Sequence, residues 1–235
     1  AAIEQMGQRL AQAKRPLILA GGGAIDAAPA LQQLAERLGA PVALTINAKG
    51  MLPAAHPLLI GSTQSLVATR ALVAEADVVL AIGTELAETD YDITFAGGFE
   101  IPGVLLRIDI DPDQTVRNYA PALALVADAR VAAEALLAEL GVLPARGAEW
   151  GAARVSRLQA QLASDWDAPT RAQTHFLQTL FDVLPDAVCV GDSTQPVYTG
   201  NLTFNPDQPR RWFNSSTGYG TLGYALPAAV GAWLG

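Results

Sequence analysis

The first 140 residues alternate between short, continuous apolar runs and longer stretches in which apolar residues recur every three or four positions. The first pattern is typical of parallel strands buried on both faces, and the second of amphipathic helices. The apolar runs predict strands at 17–20, 42–46, 77–82, 104–110 and 123–127. The amphipathic stretches predict helices at 27–38, 65–75 and 128–140. This alternation predicts an α/β fold with a doubly wound parallel sheet and right-handed crossovers.

The pattern changes after residue 141. Residues 142–169 predict a linker that contains a helix over about 148–164. After that helix, Asp167 is a candidate cap for the next one. From residue 170 the chain predicts a second α/β unit: a helix at 170–183, a strand at 187–190, a segment around 211–214 and a helix from about Thr221. We therefore predict a Rossmann-like central domain at 1–141, a linker at 142–169 and an incomplete α/β unit at 170–235. A unit of about 65 residues is too short to bury a doubly wound sheet alone.

Composition excludes several classes of protein. Half of the chain is hydrophobic (51%), which excludes a disordered chain, and the net charge of −8 argues against a nucleic-acid or anionic-membrane surface. A single cysteine, Cys189, excludes an intrachain disulfide framework. Since neither a membrane-spanning run nor a signal peptide is visible, we expect a cytoplasmic protein with no nucleic-acid or membrane partner. The last residues before Gly235 are apolar and helix-like, which is unusual for a finished terminus.

The first candidate site is a glycine triplet, Gly21, Gly22 and Gly23, between the first strand and a helix. Glycines there let a dinucleotide approach the backbone, although a tight turn accounts for them equally well. Asp109 ends a predicted strand, where ligands bind in open α/β sheets. Its role stays open, whereas Asp111, which precedes a proline, is better explained as a cap of a following short helix.

The second candidate site lies in the last third of the chain. The segment 191–195, Gly-Asp-Ser-Thr-Gln, follows a strand and offers hydroxyls and an amide where a helix begins, which suits a diphosphate. Further on, Gly218, Gly220 and Gly223 leave the backbone bare before a helix of small residues. Elsewhere, neither histidine has partners at metal-ligand spacing, and Cys189 lies in an apolar strand, so we predict no metal site and no nucleophile.

The run at 220–232, Gly-Thr-Leu-Gly-Tyr-Ala-Leu-Pro-Ala-Ala-Val-Gly-Ala, resembles a signature of the thiamine-diphosphate-dependent enzymes, whose best-known branch is acetolactate synthase. The signature reads G-x-[ML]-G-x-x-L-P-A-A-x-G-A. The central part of the chain is similar to the same superfamily at 15–23, 40–42, 47–50, 75–83 and 108–112. The resemblance thus covers nearly the whole chain, as a central domain followed by the start of a diphosphate-binding domain.

The resemblance implies an enzyme that decarboxylates a 2-oxo acid and either releases the aldehyde or transfers it to an acceptor. It implies that Ser193, Thr194 and Gln195 contact the diphosphate of the cofactor. The Gly220 carbonyl would accept a hydrogen bond from its aminopyrimidine, and Leu222 would be the apolar wedge that bends it. The complete enzyme would use Mg²⁺ and form a homodimer or homotetramer.

Two parts of the family pattern are expected outside this chain: a catalytic glutamate in a preceding domain, and a Gly-Asp-Gly magnesium motif after Gly235. We therefore predict no catalytic residue and no metal ligand here, and an inactive fragment. In acetolactate synthase the central domain also holds FAD. The chain departs from the synthase at 61–64 and 84–90, where arginines suited to FAD phosphates are absent. These departures argue against FAD and favour a decarboxylase or another carboligase.

Two alternatives of a different class stay open at this point. Residues 1–140 could form a nucleotide-binding module for FAD, NAD or an ADP moiety. They could equally form a structural spacer that builds an oligomer interface around an empty crevice. The sequence alone does not identify the 2-oxo acid or the acceptor.

Overall fold

The computed structural model describes residues 1–94, 97–141 and 149–234. Its main feature is a parallel sheet of six strands in the order β3-β2-β1-β4-β5-β6. The strands are β1 (Pro16–Ala20), β2 (Val42–Leu44), β3 (Leu59–Gly61), β4 (Val78–Ile82), β5 (Val104–Asp109) and β6 (Leu123–Val126). The strand order reverses between β1 and β4, which confirms the predicted α/β fold with a doubly wound sheet.

Helices cover both faces of this sheet. One face packs against α1 (Ala2–Gln12), α2 (Ala28–Leu38) and α5 (Ala129–Gly141), and the other packs against α3 (Val67–Glu75) and α6 (Glu149–Asp165). Side chains alternate between the faces along each strand, so Ile18 joins the first core and Leu19 the second. This double coverage explains why the strands read as continuous apolar runs.

The second unit follows the sheet in the chain. It contains α7 (Ala168–Val183), β7 (Cys189–Gly191), α8 (Gln195–Thr203), β8 (Trp212–Asn214) and α9 (Ala225–Leu234), and β7 and β8 pair in parallel. Its small core joins Leu177, Phe204 and Trp212 to Ile46, which belongs to the loop after β2. The two units therefore share a core. In the described part of the chain, no helix is long and apolar enough to cross a membrane.

The observed elements differ from the predicted ones at three informative places. The strand predicted at 42–46 ends at Leu44, because the N–H of Ile46 turns to the carboxylate of Asp90 and a short 3-10 helix begins. The last helix begins at Ala225 instead of Thr221. Gly220 and Gly223 have φ of +66° and +86°, values that a right-handed helix excludes. The pattern also did not predict α1, β3 or the four-residue helix α4 (Glu88–Tyr91).

The helix predicted inside the linker is α6, and it packs on the central sheet. Val155, Leu158 and Leu162 are buried in the second core, beside α3. The predicted cap at the start of α7 is confirmed, because the Asp167 carboxylate accepts the N–H of Thr170 at 2.8 Å. Residues 142–148 of the predicted linker lie outside the described residues.

Candidate functional site

A cleft of about 300 Å³ lies at the carboxyl ends of β1, β2 and β4, where the strand order reverses. Open α/β sheets bind ligands at this place. The predicted glycine triplet lies in its wall, and Thr217 of the second unit contributes to its lining. The structure therefore places Gly21, Gly22 and Gly23 in the wall of a cleft that the second unit also lines, and their contact with a dinucleotide stays a prediction.

The backbone of the triplet is largely committed to a neighbouring turn. The N–H of Gly21 donates to the Ile82 carbonyl at 3.0 Å, and the N–H of Gly23 donates to the Gly83 carbonyl at 3.1 Å. A Cβ on Gly21 would lie 2.2 Å from the Gly83 oxygen. These glycines let two backbone turns pack against each other, and two of their three N–H groups are used in doing so.

The side chains that line this cleft are polar or acidic. They include Thr45, Asn47 and Thr84 together with the carboxylates of Glu85 and Asp90, and none of the described lining residues is a lysine or arginine. Asp90 accepts the N–H of Ile46 at 2.7 Å, and burial raises the pKa of its carboxyl to about 6. The cleft thus offers negative charge where a dinucleotide would place its diphosphate.

Asp109 is not one of the residues that line the cleft. Its carboxylate accepts the N–H of Asp111 at 3.0 Å, and that of Asp111 accepts the N–H of Asp113 at 2.9 Å. Both are side-chain turns at the end of β5. No helix follows Asp111 in the described part of the chain before α5, so the prediction that it caps a short helix is wrong. The aspartates stabilise a series of turns instead.

The second candidate site forms where β7 and β8 end side by side. The hydroxyls of Ser193, after β7, and Ser215, after β8, lie 3.1 Å apart. The N–H of Gly220 donates to the Ser215 carbonyl at 3.0 Å, and a Cβ on Gly220 would lie 3.7 Å from the Ser193 oxygen. Ser193 and Gly220, which are 27 positions apart in sequence, are therefore neighbours in the fold.

The other predicted residues lie on the exposed side of the same edge. Thr194 is the N-cap position of α8, followed by Gln195 and by Pro196, which has no N–H. Both Thr194 and Gln195 are exposed, and no side-chain hydrogen bond engages either within the described residues. Leu222 is 75% exposed in the glycine-rich loop. The hydroxyl, amide and apolar groups predicted to contact a cofactor are thus accessible.

Asp192 shapes this loop, a role that was not predicted from the sequence. Its carboxylate accepts the N–H of Gly223 at 3.3 Å and that of Ala225 at 3.0 Å. It therefore caps α9 across 33 positions of chain. An aspartate directly after a strand and before a glycine-rich loop was the available signal.

Asn201 holds the other side of the edge and was also missed. Its side-chain oxygen accepts the indole N–H of Trp212 at 2.9 Å and the amide of Asn214 at 3.0 Å. Its own amide donates to the Ser216 hydroxyl at 2.9 Å. One buried side chain in α8 thus orders both β8 and the serines that follow it.

Two family models match this chain. The thiamine pyrophosphate enzyme central domain matches residues 3–136, and the C-terminal TPP binding domain of the same enzymes matches residues 192–235. The chain belongs to the thiamine pyrophosphate enzyme family. This confirms the resemblance that the sequence showed. Every residue predicted to contact thiamine diphosphate lies in the second matched range.

Curated relatives agree with the family. The chain is 44% identical to a probable 2-ketoarginine decarboxylase of Pseudomonas aeruginosa, over 100% of this chain and 41% of the relative. It is 31% identical to a probable acetolactate synthase large subunit of Methanocaldococcus jannaschii, over 98% of this chain and 41% of the relative. It is 30% identical to the acetolactate synthase isozyme 1 large subunit of Escherichia coli, over 94% and 39%. The chain spans about two fifths of the length of these relatives.

His56 and Cys189 of this thiamine pyrophosphate enzyme chain pack within the protein. His56 accepts the N–H of Leu58 on Nδ1 and faces Glu36 through Nε2, both at 3.2 Å. Burial raises the pKa of the Cys189 thiol, which packs beside the small core of the second unit. The described residues contain no group of three His, Cys, Asp or Glu side chains that could hold a metal ion.

Proposed function

We propose that this chain supplies the central domain and part of the diphosphate-binding domain of a thiamine-diphosphate-dependent enzyme that decarboxylates a 2-oxo acid. The observation that carries the proposal is the edge formed by Ser193, Ser215 and Gly220 inside the range matched by the TPP binding domain. The proposal retains the predicted division into a central domain at 1–141, a linker at 142–169 and a second unit at 170–235.

The residues at this edge fit the cofactor chemically. The hydroxyls of Ser193 and Thr194 and the amide of Gln195 can donate to diphosphate oxygens at the start of α8. Gly220, which has a left-handed φ of +66°, has no side chain, so a planar ring can approach its backbone. The exposed Leu222 offers an apolar support for the ring. When bound, thiamine diphosphate supplies the carbon nucleophile and accepts the electron pair left by CO₂.

The relatives favour decarboxylation over synthesis. The identity to the relative named as a 2-ketoarginine decarboxylase is 44%, against 31% and 30% for the two acetolactate synthases. We propose a 2-oxo acid substrate whose aldehyde product is released, with transfer to an acceptor as the second candidate. The complete protein would use Mg²⁺ and form a homodimer or homotetramer.

FAD does not fit the cleft of the central domain. The N–H groups of Gly21 and Gly23 are already donated within the protein, and the lining carries the carboxylates of Glu85 and Asp90 without a described lysine or arginine. A flavin dinucleotide brings two negative phosphates, which this lining would repel. We therefore leave FAD out of the proposed function.

Calorimetric titration of the 235-residue chain with thiamine diphosphate and Mg²⁺ tests the proposal. We expect saturable binding that the double variant Ser193→Ala/Gln195→Ala weakens at least about tenfold, the loss of roughly two hydrogen bonds to a charged group. Thr63→Ser, remote from the edge, is the control. Absence of binding by the wild-type chain, or equal binding by the double variant, would contradict the proposed site.

Two further titrations separate the alternatives. Saturable binding of FAD or ADP would favour the nucleotide-binding module, and binding of neither cofactor nor nucleotide would favour the structural spacer. We expect the chain alone to release no CO₂ from a 2-oxo acid, because its sequence has no Gly-Asp-Gly motif. CO₂ release that depends on thiamine diphosphate would refute that expectation.

A further inference from the structure

Lys49 is a buried lysine whose ammonium reaches from the central domain into the second unit. The residue is 2% exposed, and it lies directly after the 3-10 helix that follows β2. Its Nζ donates to the Phe204 carbonyl at 2.6 Å and lies 3.5 Å from Oδ1 of Asn205. A buried ammonium is costly unless its donors are satisfied, so these two acceptors account for its presence.

Burial has a larger effect on the pKa of Lys49 than the nearby charge does. Burial lowers the pKa of its ammonium to about 7, and the nearby carboxylate of Asp90 partly opposes this effect. Asp90 is in turn held by the N–H of Ile46, three residues before Lys49. Asp90 therefore anchors the backbone three residues before Lys49, and the 204–205 segment holds its ammonium.

The chain around Lys49 is fitted to the same segment of the second unit. A Cβ on Gly50, whose φ is +86°, would lie 2.0 Å from the Gln208 carbonyl oxygen. The N–H of Ala54 donates to the carboxylate of Asp207 at 2.9 Å. Residues 204–208 thus lie closely against the loop after β2, and Lys49 provides a buried hydrogen bond between them.

The segment held by Lys49 leads to the candidate cofactor edge. The Phe204 ring packs against Trp212 with centroids 5.4 Å apart. Trp212 begins β8 and donates its indole N–H to Asn201, which orders Ser216. A displacement of Phe204 would therefore move the strand that carries the serines.

We propose that Lys49 is a positioning residue, whose ammonium fixes the 204–205 segment against the central sheet and so sets the position of β8 and the serines after it. Its effect on cofactor binding rests on the proposed function, whereas its effect on the fold of the second unit does not.

Hydrogen exchange of the full 235-residue chain tests this role. We expect Lys49→Met, which keeps an unbranched apolar side chain but lacks the terminal ammonium, to speed exchange of amides in 204–216 about tenfold or more, the loss of one charge-assisted hydrogen bond. Arg210→Met is the matched control, because Arg210 also joins the two units, to Asp26 at 2.8 Å, but both side chains are exposed. Equal rates in the two variants would overturn the proposal.

A rescue experiment covers the outcome in which Lys49→Met does not fold. Lys49→Ala leaves the space of a propylammonium ion, so n-propylammonium should restore slow exchange in 204–216, whereas 1-propanol should not. Equal restoration by the alcohol, or none by either, would show that the ammonium does not position the segment.

Thiamine diphosphate titration of the same variants separates this proposal from the proposed function. If the wild-type chain binds no cofactor, the proposed function fails while the exchange data still decide the role of Lys49. If the wild type binds and Lys49→Met binds equally well despite faster exchange, the control of the serine edge by Lys49 is refuted.

Discussion

The two glycine-rich turns of this chain both lie beyond the carboxyl end of a strand, yet they use their glycines differently. At Gly21 the missing side chain makes room for another backbone turn, since a Cβ there would meet the Gly83 oxygen at 2.2 Å. At Gly220 the nearest atom to such a Cβ is the Ser193 hydroxyl at 3.7 Å, and the glycine is needed for its left-handed φ of +66°. The first turn is closed by the protein itself, and the second is left open.

This difference explains why one glycine-rich turn packs against the protein's own backbone while another stays accessible to a ligand. A glycine after a strand indicates that something approaches the backbone closely, but it does not say whether that is a ligand or the protein. In the central domain the neighbour is the end of β4 and the turn after it, whose carbonyls accept the N–H groups of Gly21 and Gly23. In the second unit, Asp192 and Ser215 arrange the loop and leave its outer side accessible.

The largest expected effect tests the closed turn. Gly21→Ala should lower the free energy of unfolding by about 3 kcal/mol, the upper range for overpacking, because the Gly83 backbone cannot move without disturbing β4. Gly220→Ala should cost about 1–2 kcal/mol, the price of a left-handed conformation alone. Urea unfolding measures both. Gly231→Ala, inside α9, is the control, because a Cβ there would meet nothing within 4 Å and alanine favours the helix, so no loss is expected. Equal losses at Gly21 and Gly220 would remove the distinction between the turns.

A second prediction concerns Asn201, which supports the edge formed by Ser193, Ser215 and Gly220. Asn201→Leu keeps the volume but removes three hydrogen bonds, to Trp212, Asn214 and Ser216, and leaves buried donors unsatisfied. We expect a loss of about 2–3 kcal/mol in urea unfolding and a red shift of the tryptophan emission. Gln178→Leu, on the neighbouring helix α7, is the control. A loss no greater than that of the control would mean that Asn201 does not order the edge.

The sequence predicted the elements that depend on local pattern. Buried strands such as β4 are read from continuous apolar runs, and the cap at Asp167 is read from its position before Pro169. Helix α1 was also predictable, because Ile3, Met6 and Leu10 recur at helical spacing. The three-residue strand β3 is too short to carry a pattern of its own.

What the sequence could not predict depends on contacts between distant positions. The end of β2 is decided by Asp90, which is 44 positions away from Ile46, and the partner of Lys49 is 155 positions away. Likewise, the family resemblance named Ser193 and Gly220, but only the fold places Ser215 and Asp192 around them. Local pattern therefore gives the elements, and the folded chain decides how their ends are used.

A third prediction tests the charge of the closed cleft through pH. The pKa of Asp90 is raised from 3.8 to about 6 in the folded protein, so the folded state holds its proton more tightly than the unfolded state does. Stability from this group is complete below about pH 4 and is lost as the pH rises through about 6. Asp90→Asn should therefore reduce the fall in the free energy of unfolding between pH 4 and 6 by about 1–2 kcal/mol.

Chemical denaturation at several pH values measures this effect. Asp26→Asn is the control, because Asp26 is exposed and the partner it has among the described residues, Arg210, is exposed too. An unchanged pH dependence in Asp90→Asn would show that the carboxylate is not protonated in the folded cleft.

The smallest expected effect tests whether a side chain, rather than the backbone, shapes the open loop. Asp192→Ala removes the acceptor of the Gly223 and Ala225 N–H groups and should cost about 1 kcal/mol, the usual worth of a helix cap. Asp192→Asn keeps a side-chain oxygen and should lower the free energy of unfolding by only about a few tenths of a kcal/mol. If the loop is arranged by this cap, Asp192→Ala should also weaken thiamine diphosphate binding, while Asp192→Asn should not. Equal binding by both variants would mean that the glycine backbone, and not the Asp192 side chain, determines the conformation of the open loop.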